Sequence, residues 1–409
     1  MTGGAPKRMA TLLHVVDYTG SDPQTARLVE EVLARLPADD FAIGIVSSGT
    51  GLERAHALAG KLTRPIEVID TPALIHRFAV ALGPDAEFTG SPTYEVLGDT
   101  FNDPDVVWFP QLQFHLPAHR GLAKIVAGIP DVSLIEMAEF LAEKGGTVES
   151  ASATGLAAMA DMALRRVAAS PARLVAPSRR VADYLAKIYG CSPALVTVPT
   201  PSLRDLPAEP VPGLPPRYII YAGGIGPLGN HESLLMAQAR LKSGGQAFPL
   251  VLAGEGTALI ASGTTHRGAY LKALIEHLGL IPGEDVHVLG ELTPGALKTV
   301  FSQSSGAVVP VLAEDDALLA AGQAAELGVQ IAVSDMPGPR EYFTRRGLSP
   351  LWFRPGAADE IAAVLGALRD AAPRPPADLP NAGWDEVAQS YLTLFREQAI
   401  LAASQSGVH

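Results

Sequence analysis

The chain has 409 residues, of which 47% are hydrophobic and 18% charged, and its formal net charge is −12. That composition excludes a mostly disordered chain, and the length suggests two or three domains. The acidic balance excludes nucleic acid as the main partner, and a single cysteine, Cys191, excludes an internal disulfide or a cysteine-based metal cluster.

In chain order, the opening MTGGAPKRMATLLHVVDYTG lacks a cleavage signal and reads as a start leading into a first strand. Short apolar runs then predict strands at 11–16, 41–46, 105–109, 173–177, 218–223, 249–254, 286–290, 306–311 and 330–334. Most are continuous rather than alternating, which suits strands covered on both faces of a parallel sheet. Helical patterns lie between many of them. The run 22–36 starts at Asp22 with Pro23 in the first helical position. In 269–280, Leu271, Leu274, Ile275 and Leu278 share a face and Gly279 marks the stop. The run 359–371 repeats the pattern with Ile361, Val364, Leu365 and Leu368. Such alternation predicts an α/β protein with parallel sheets. The proline-rich stretch 199–216 reads as a linker. A final helical pattern follows a second proline cluster at 371–380, with Trp384, Val387, Tyr391 and Leu394 at helical spacing. No run reaches the length of a bilayer span, and the expected compartment is the cytoplasm.

Two segments carry chemistry. In YAGGIGPLGNHESLL (221–235) a strand ends in Gly223-Gly224 and a helix begins near Asn230 to Glu232. Glycines there let a backbone approach a ligand, and amides near a helix N-terminus favour an anion. The spacing is not that of a dinucleotide-binding fingerprint. The second segment, 310–343, reads strand, loop, helix, strand and a Pro/Gly loop, with Glu314 after its first strand. Both segments fall beyond the carboxyl ends of strands, where open parallel sheets bind ligands.

In their order, YAGGIGPLGNHESLLMAQARL, PLVLAGEGT, VHVLGELTPGALKTVFSQSSGAVVPVL, AAELGVQIAVSDMPGPREY and LWFRPGAADEIAAVLGAL resemble the donor-binding domain of retaining, family-4-type glycosyltransferases of the GT-B fold. The resemblance covers roughly 218–396, and GWDEVAQSYLTLF is similar to the family's closing helix. It implies two facing Rossmann-like domains with parallel sheets and a C-terminal crossover helix. The N-terminal acceptor domain would span 1–208, joined by the returning helix 384–403, and the donor domain 209–383. The implied donor is a nucleotide-diphosphate sugar and the acceptor a glycan or lipid-linked molecule, with no metal and no cofactor.

The resemblance assigns the sugar contact to Glu314; the family's N-domain His-Asp pair has no clear match, its register falling on Ile135 and Glu136, and Glu136 is the expected catalytic group there. Gly223, Gly224, Ile225, Gly226 and Asn230 form the expected donor loop, with Gln323 beside the ribose and Arg340 near the phosphates. Gly20, His115, Arg179 and Arg180 are expected to line the cleft. There are departures. The family's arginine and lysine of the donor loop fall on Gly224 and Gly229, and its second glutamate falls on Gly322. Asp315 and Asp316 add acids at the next helix start, and His231 lies close to the loop. Losing one charge-stabilising donor can cost about 10²–10³ in rate. A second expectation is therefore a non-catalytic partner, chaperone or glycan-binding subunit of a full-motif glycosyltransferase. The basic stretch Arg165, Arg166, Arg173, Arg179, Arg180 and Lys187 suits an anionic membrane surface or lipid acceptor.

Overall fold

The structure is a computed structural model that describes residues 10–16, 23–47, 49–70, 104–112, 124–129, 167–312, 317–372, 374–376 and 383–406, with 132, 135, 158, 161, 162, 164 and 165. The chain divides into two compact units, Met1–Pro199 with Ala382–His409, and Thr200–Asn381.

The first unit is built on a parallel sheet in the order β3-β2-β1-β4-β5-β6-β7. Its strands are β1 (Thr11–Val15), β2 (Phe41–Ser47), β3 (Ile66–Asp70), β4 (Val106–Phe109), β5 (Ile125–Gly128), β6 (Arg173–Ala176) and β7 (Ala194–Leu195). The central strands β4 and β5 are buried at every residue, as continuous apolar runs require. Helix Pro23–Arg35 buries Leu28, Val29, Val32 and Leu33 on one stripe. The final helix, Trp384–Ser406, belongs to this unit and completes its core. Trp108 of β4 meets the rings of Tyr391 and Phe395 at centroid distances of 4.9 and 5.4 Å. Arg35–Asp385 at 2.7 Å and Arg396–Asp40 at 2.6 Å pin the helix along its length, and Gln398 donates to the Pro171 carbonyl at 2.8 Å.

The second unit has a parallel sheet in the order β10-β9-β8-β11-β12-β13. Its strands are β8 (Ile219–Ala222), β9 (Leu250–Ala253), β10 (Val286–Gly290), β11 (Gly306–Val309), β12 (Ile331–Ser334) and β13 (Leu351–Phe353). In both sheets the chain runs outward from one central strand, returns, and runs outward the other way. The second sheet reverses between β8 and β11, so the loops after these two strands lie side by side at the carboxyl edge, where open parallel sheets bind ligands. The α/β class and the parallel sheets expected from the sequence are both present.

Strands β3, β5, β7 and β13 are additional to the nine read from the sequence. β3 (IEVID) is a partly exposed edge strand that alternates, and β7 and β13 have two and three residues, too few for a pattern. The proline-rich stretch differs more. Instead of a free linker it is strapped to the second unit. Leu203 is buried beside Tyr218 and Phe301, and its amide donates to Glu326 at 3.3 Å. Lys298 donates to the Leu206 carbonyl at 2.7 Å and Thr299 to that of Glu209 at 2.6 Å. Proline leaves carbonyls without ladder partners, and these side chains supply them.

Candidate functional site

The loop after β8 runs from Gly223 through a short 3₁₀ turn, Pro227–Gly229, into helix His231–Ser243. A Cβ on Gly223 would lie 2.7 Å from the Tyr221 ring. On the facing loop, Gly254 has φ +126°, and a Cβ there would stand 2.6 Å from the Gly223 carbonyl oxygen. Glycine is thus what lets the two backbones touch. The Gly223 amide donates to Ala253 O at 2.8 Å and the Ile225 amide to Glu255 O at 3.1 Å. Among the described residues no such bond uses the amides of Gly224 and Gly226.

Asn230 holds the left-handed conformation (φ 51°, ψ 41°), which asparagine tolerates better than most residues. It stands at the N-cap but does not cap. Its amide donates instead to the Pro310 carbonyl at 2.8 Å and ties the loop to the end of β11. His231 is fully buried, its ring tilted 52° against that of Tyr221 with centroids 4.8 Å apart, and neither ring nitrogen has a hydrogen-bond partner. Burial lowers its pKa to about 3, with the Arg267 charge acting in the same direction, so it is neutral in ordinary buffers.

The two positions on which the resemblance places the family's cations, Gly224 and Gly229, differ physically. At Gly224 a Cβ meets Glu255 O at 3.5 Å, an ordinary contact. At Gly229 it would meet Gly224 O and the Tyr221 hydroxyl, both at 2.8 Å, and His231 Cε1 at 3.1 Å. A side chain fits the first position and not the second. Gly322, on helix Ala317–Glu326, is closed as well. A Cβ there would overlap the Tyr342 hydroxyl and lie 2.9 Å from its ring carbon Cζ. Arg346 lies over the Tyr342 ring, 3.7 Å from its centroid, and donates to Thr200 Oγ1 at 3.1 Å. Burial raises the Tyr342 pKa and lowers that of Arg346. The phenol thus fills the space of a side chain at 322.

Gln323 donates its amide to the Pro201 carbonyl at 2.7 Å. Arg340, on helix Pro337–Arg345, holds Asp335 through both oxygens, with Nη2 at 2.7 Å from Oδ2, and lies over Trp352. Asp335 is held below the usual carboxylate range chiefly by that hydrogen bond. In the first unit, Arg179 and Arg180 open helix Arg179–Tyr189 at the carboxyl end of β6, where Ser178 Oγ accepts from the Val181 amide at 3.2 Å. Arg173, Arg179 and Lys187 are exposed, and Arg165 pairs with Asp161 at 2.9 Å. Gly20, His115, Glu136, Glu314, Asp315 and Asp316 lie outside the described residues.

One cation near the loop went unread in the sequence. Arg267 Nε donates to the Ile225 carbonyl at 2.8 Å, and its two terminal nitrogens grip both oxygens of Glu232, Nη2 at 3.0 Å. A signal existed: Arg267 lies in the first turn of helix His266–His277, where a cation opposes the helix dipole.

Residues 206–371, which fall in the second unit, match the model of the family Glycosyl transferases group 1. The whole chain is similar in fold to the GT-B glycosyltransferases. Anabaena HepE, solved in complex with UDP-glucose, is 11% identical with a TM-score of 0.57, over 97% of this chain and 100% of that one. A glycosyltransferase from Rickettsia africae ESF-5 is 12% identical with a TM-score of 0.51, over 98% of both chains. The N-terminal domain of a Candida albicans trehalose-6-phosphate phosphatase is 8% identical with a TM-score of 0.51, over 98% of this chain and 94% of that one. No curated protein matches the sequence. Likeness at such identities shows the fold and not the chemistry. Among the described residues no helix is long and apolar enough to cross a membrane, and no three His, Cys, Asp or Glu side chains group as a metal site.

Proposed function

We propose that the protein is a glycosyltransferase that moves a hexose from a nucleoside-diphosphate sugar to a glycan or lipid-linked acceptor. The observation that carries this reading is the glycine loop at the reversal point of the second sheet, inside the segment that matches the glycosyltransferase family. The uncommitted amides of Gly224 and Gly226, together with the positive end of helix His231–Ser243, suit a diphosphate. HepE, similar in fold, was solved with UDP-glucose, which supports the choice of donor class.

The finer assignments are part of the same proposal: retention of configuration without a metal, the sugar on Glu314, and Glu136 in the catalytic group. Gln323 has its amide N–H₂ turned to Pro201, so its carbonyl oxygen is the group proposed to meet a ribose hydroxyl. Gly20, His115, Arg179 and Arg180 are proposed as cleft-lining residues, and the basic stretch that includes Arg179 and Arg180 is assigned to an anionic membrane surface or lipid acceptor.

Calorimetric titration with UDP- and GDP-sugars, followed by a sugar-transfer assay, tests the proposal. Saturable binding is expected; no heat and no thermal shift at millimolar donor would overturn it. The closed positions at Gly229 and Gly322 favour one other reading, a non-catalytic partner of a full-motif enzyme. Sugar transfer by the purified chain that disappears in Glu314→Ala refutes that alternative.

A further inference from the structure

The half-buried ion pair Arg267–Glu232 borders the loop, with side chains 19% and 29% exposed. Glu232 lies in the first turn of helix His231–Ser243, and its carboxylate also accepts a backbone N–H there. It is thus an internal anion at the helix end where a bound anion would gain most. Burial pushes its pKa up, but the Arg267 hydrogen bonds and charge outweigh this and hold it below the usual range. Arg267 does two things at once. It cancels the Glu232 charge, and it holds the Ile225 carbonyl, whose trans peptide turns the Gly226 N–H to the opposite side. Buried below the same loop is His231, whose two ring nitrogens have no partner and whose Cε1 lies 3.1 Å from where a Gly229 Cβ would stand. A neutral imidazole supplies no counter-charge, and Arg340 is turned to Asp335.

We propose that Arg267 is the positioning residue and counter-charge for a diphosphate on the glycine loop, and that Glu232 attenuates it as a built-in competitor anion. This rests on the reading of the loop as a diphosphate seat. Arg267 then supplies, from a neighbouring helix and attenuated by Glu232, the positive charge that positions 224 and 229 lack.

The full chain is titrated with UDP and with GDP, with inorganic pyrophosphate as competitor, at low and high salt. The variants are Arg267→Met, Arg267→Lys, Glu232→Gln and the double variant Arg267→Met/Glu232→Gln. Glu232→Gln is expected to tighten binding by about three- to ten-fold and to steepen its salt dependence. Arg267→Met weakens it by about ten-fold or more, since the anchor on the Ile225 carbonyl and the neutraliser of Glu232 are lost together. Lysine at 267 rescues only in part, because it cannot fork to Glu232 while holding Ile225. The double variant binds more weakly than Glu232→Gln alone. A purely structural ion pair predicts that neither single variant gains affinity, so the gain in Glu232→Gln is the decisive readout. If wild type binds and Glu232→Gln, still folded by its melting curve, binds no tighter, this inference is overturned while the diphosphate reading stands. If neither wild type nor Glu232→Gln binds either nucleotide or pyrophosphate, both are overturned.

Discussion

Consider returning the two cations that positions 224 and 229 lack. In Gly224→Arg the new Cβ makes ordinary contact with Glu255, and the backbone needs no left-handed conformation. The unfolded chain loses freedom, which stabilises by about 0.4–1 kcal/mol. A guanidinium reaching a phosphate oxygen adds a charge-assisted hydrogen bond of about 1.5–3 kcal/mol, or about ten- to a hundred-fold in Kd. Gly229→Lys is the opposite case. Its Cβ would sit 2.8 Å from a backbone carbonyl and from the Tyr221 hydroxyl, with His231 behind. Forcing atoms into such a wall costs about 1–3 kcal/mol. For a unit of this size each kcal/mol lowers Tm by about 2–4 °C. Titration of both variants with UDP and GDP, beside their melting curves, separates the two effects. Arginine at 224 should bind tighter and melt about 1–4 °C later, and lysine at 229 should melt earlier. Equal stability of the two variants, or unchanged nucleotide affinity in Gly224→Arg, would refute the reasoning about the loop.

Other outcomes are expected. Gly322→Ala overlaps the Tyr342 hydroxyl and should lose about 1–3 kcal/mol of stability, much of it regained when Tyr342→Phe removes the clashing oxygen; chemical denaturation of the single and double variants measures the coupling. His231 is held neutral with its pKa lowered to about 3. The unfolded chain therefore binds the extra proton first, and stability falls as pH drops from about 6.5 towards 3 by up to about 1.4 kcal/mol per pH unit. Urea melts across that window should show a shallower decline for His231→Leu, and an unchanged slope would contradict the burial argument. Trp108→Ala removes the ring that packs on Tyr391 and Phe395 and should destabilise the first unit by about 3–5 kcal/mol, read as an earlier urea-unfolding transition than in the unsubstituted chain.

Most of the fold was readable because its evidence is local. Continuous apolar runs such as VVWF and IIYA, and stripes such as Leu271, Leu274, Ile275 and Leu278, state their own burial. The edge strand β3 and the three-residue β13 are formed by pairing with neighbours, and pairing leaves little trace in short sequences. The site divides the same way. Glycines in a strand-to-helix turn announce a close backbone approach. That Gly322 lacks a side chain because Tyr342 stands in its place, or that Arg267 reaches back to Ile225, depends on contacts between distant segments. Likewise the prolines of 199–216 state that the segment is not a helix, but not that Lys298, Thr299 and Glu326 bind it.

The last helix belongs to the first unit, and the second unit is spliced into the chain before it. During synthesis, Trp108 must therefore wait for Tyr391 and Phe395 until the whole second unit has been made. The second unit is contiguous and can fold while the first is still missing its lid of aromatic rings. Nascent chains released before Trp384 should bind holdase chaperones through that uncovered sheet face.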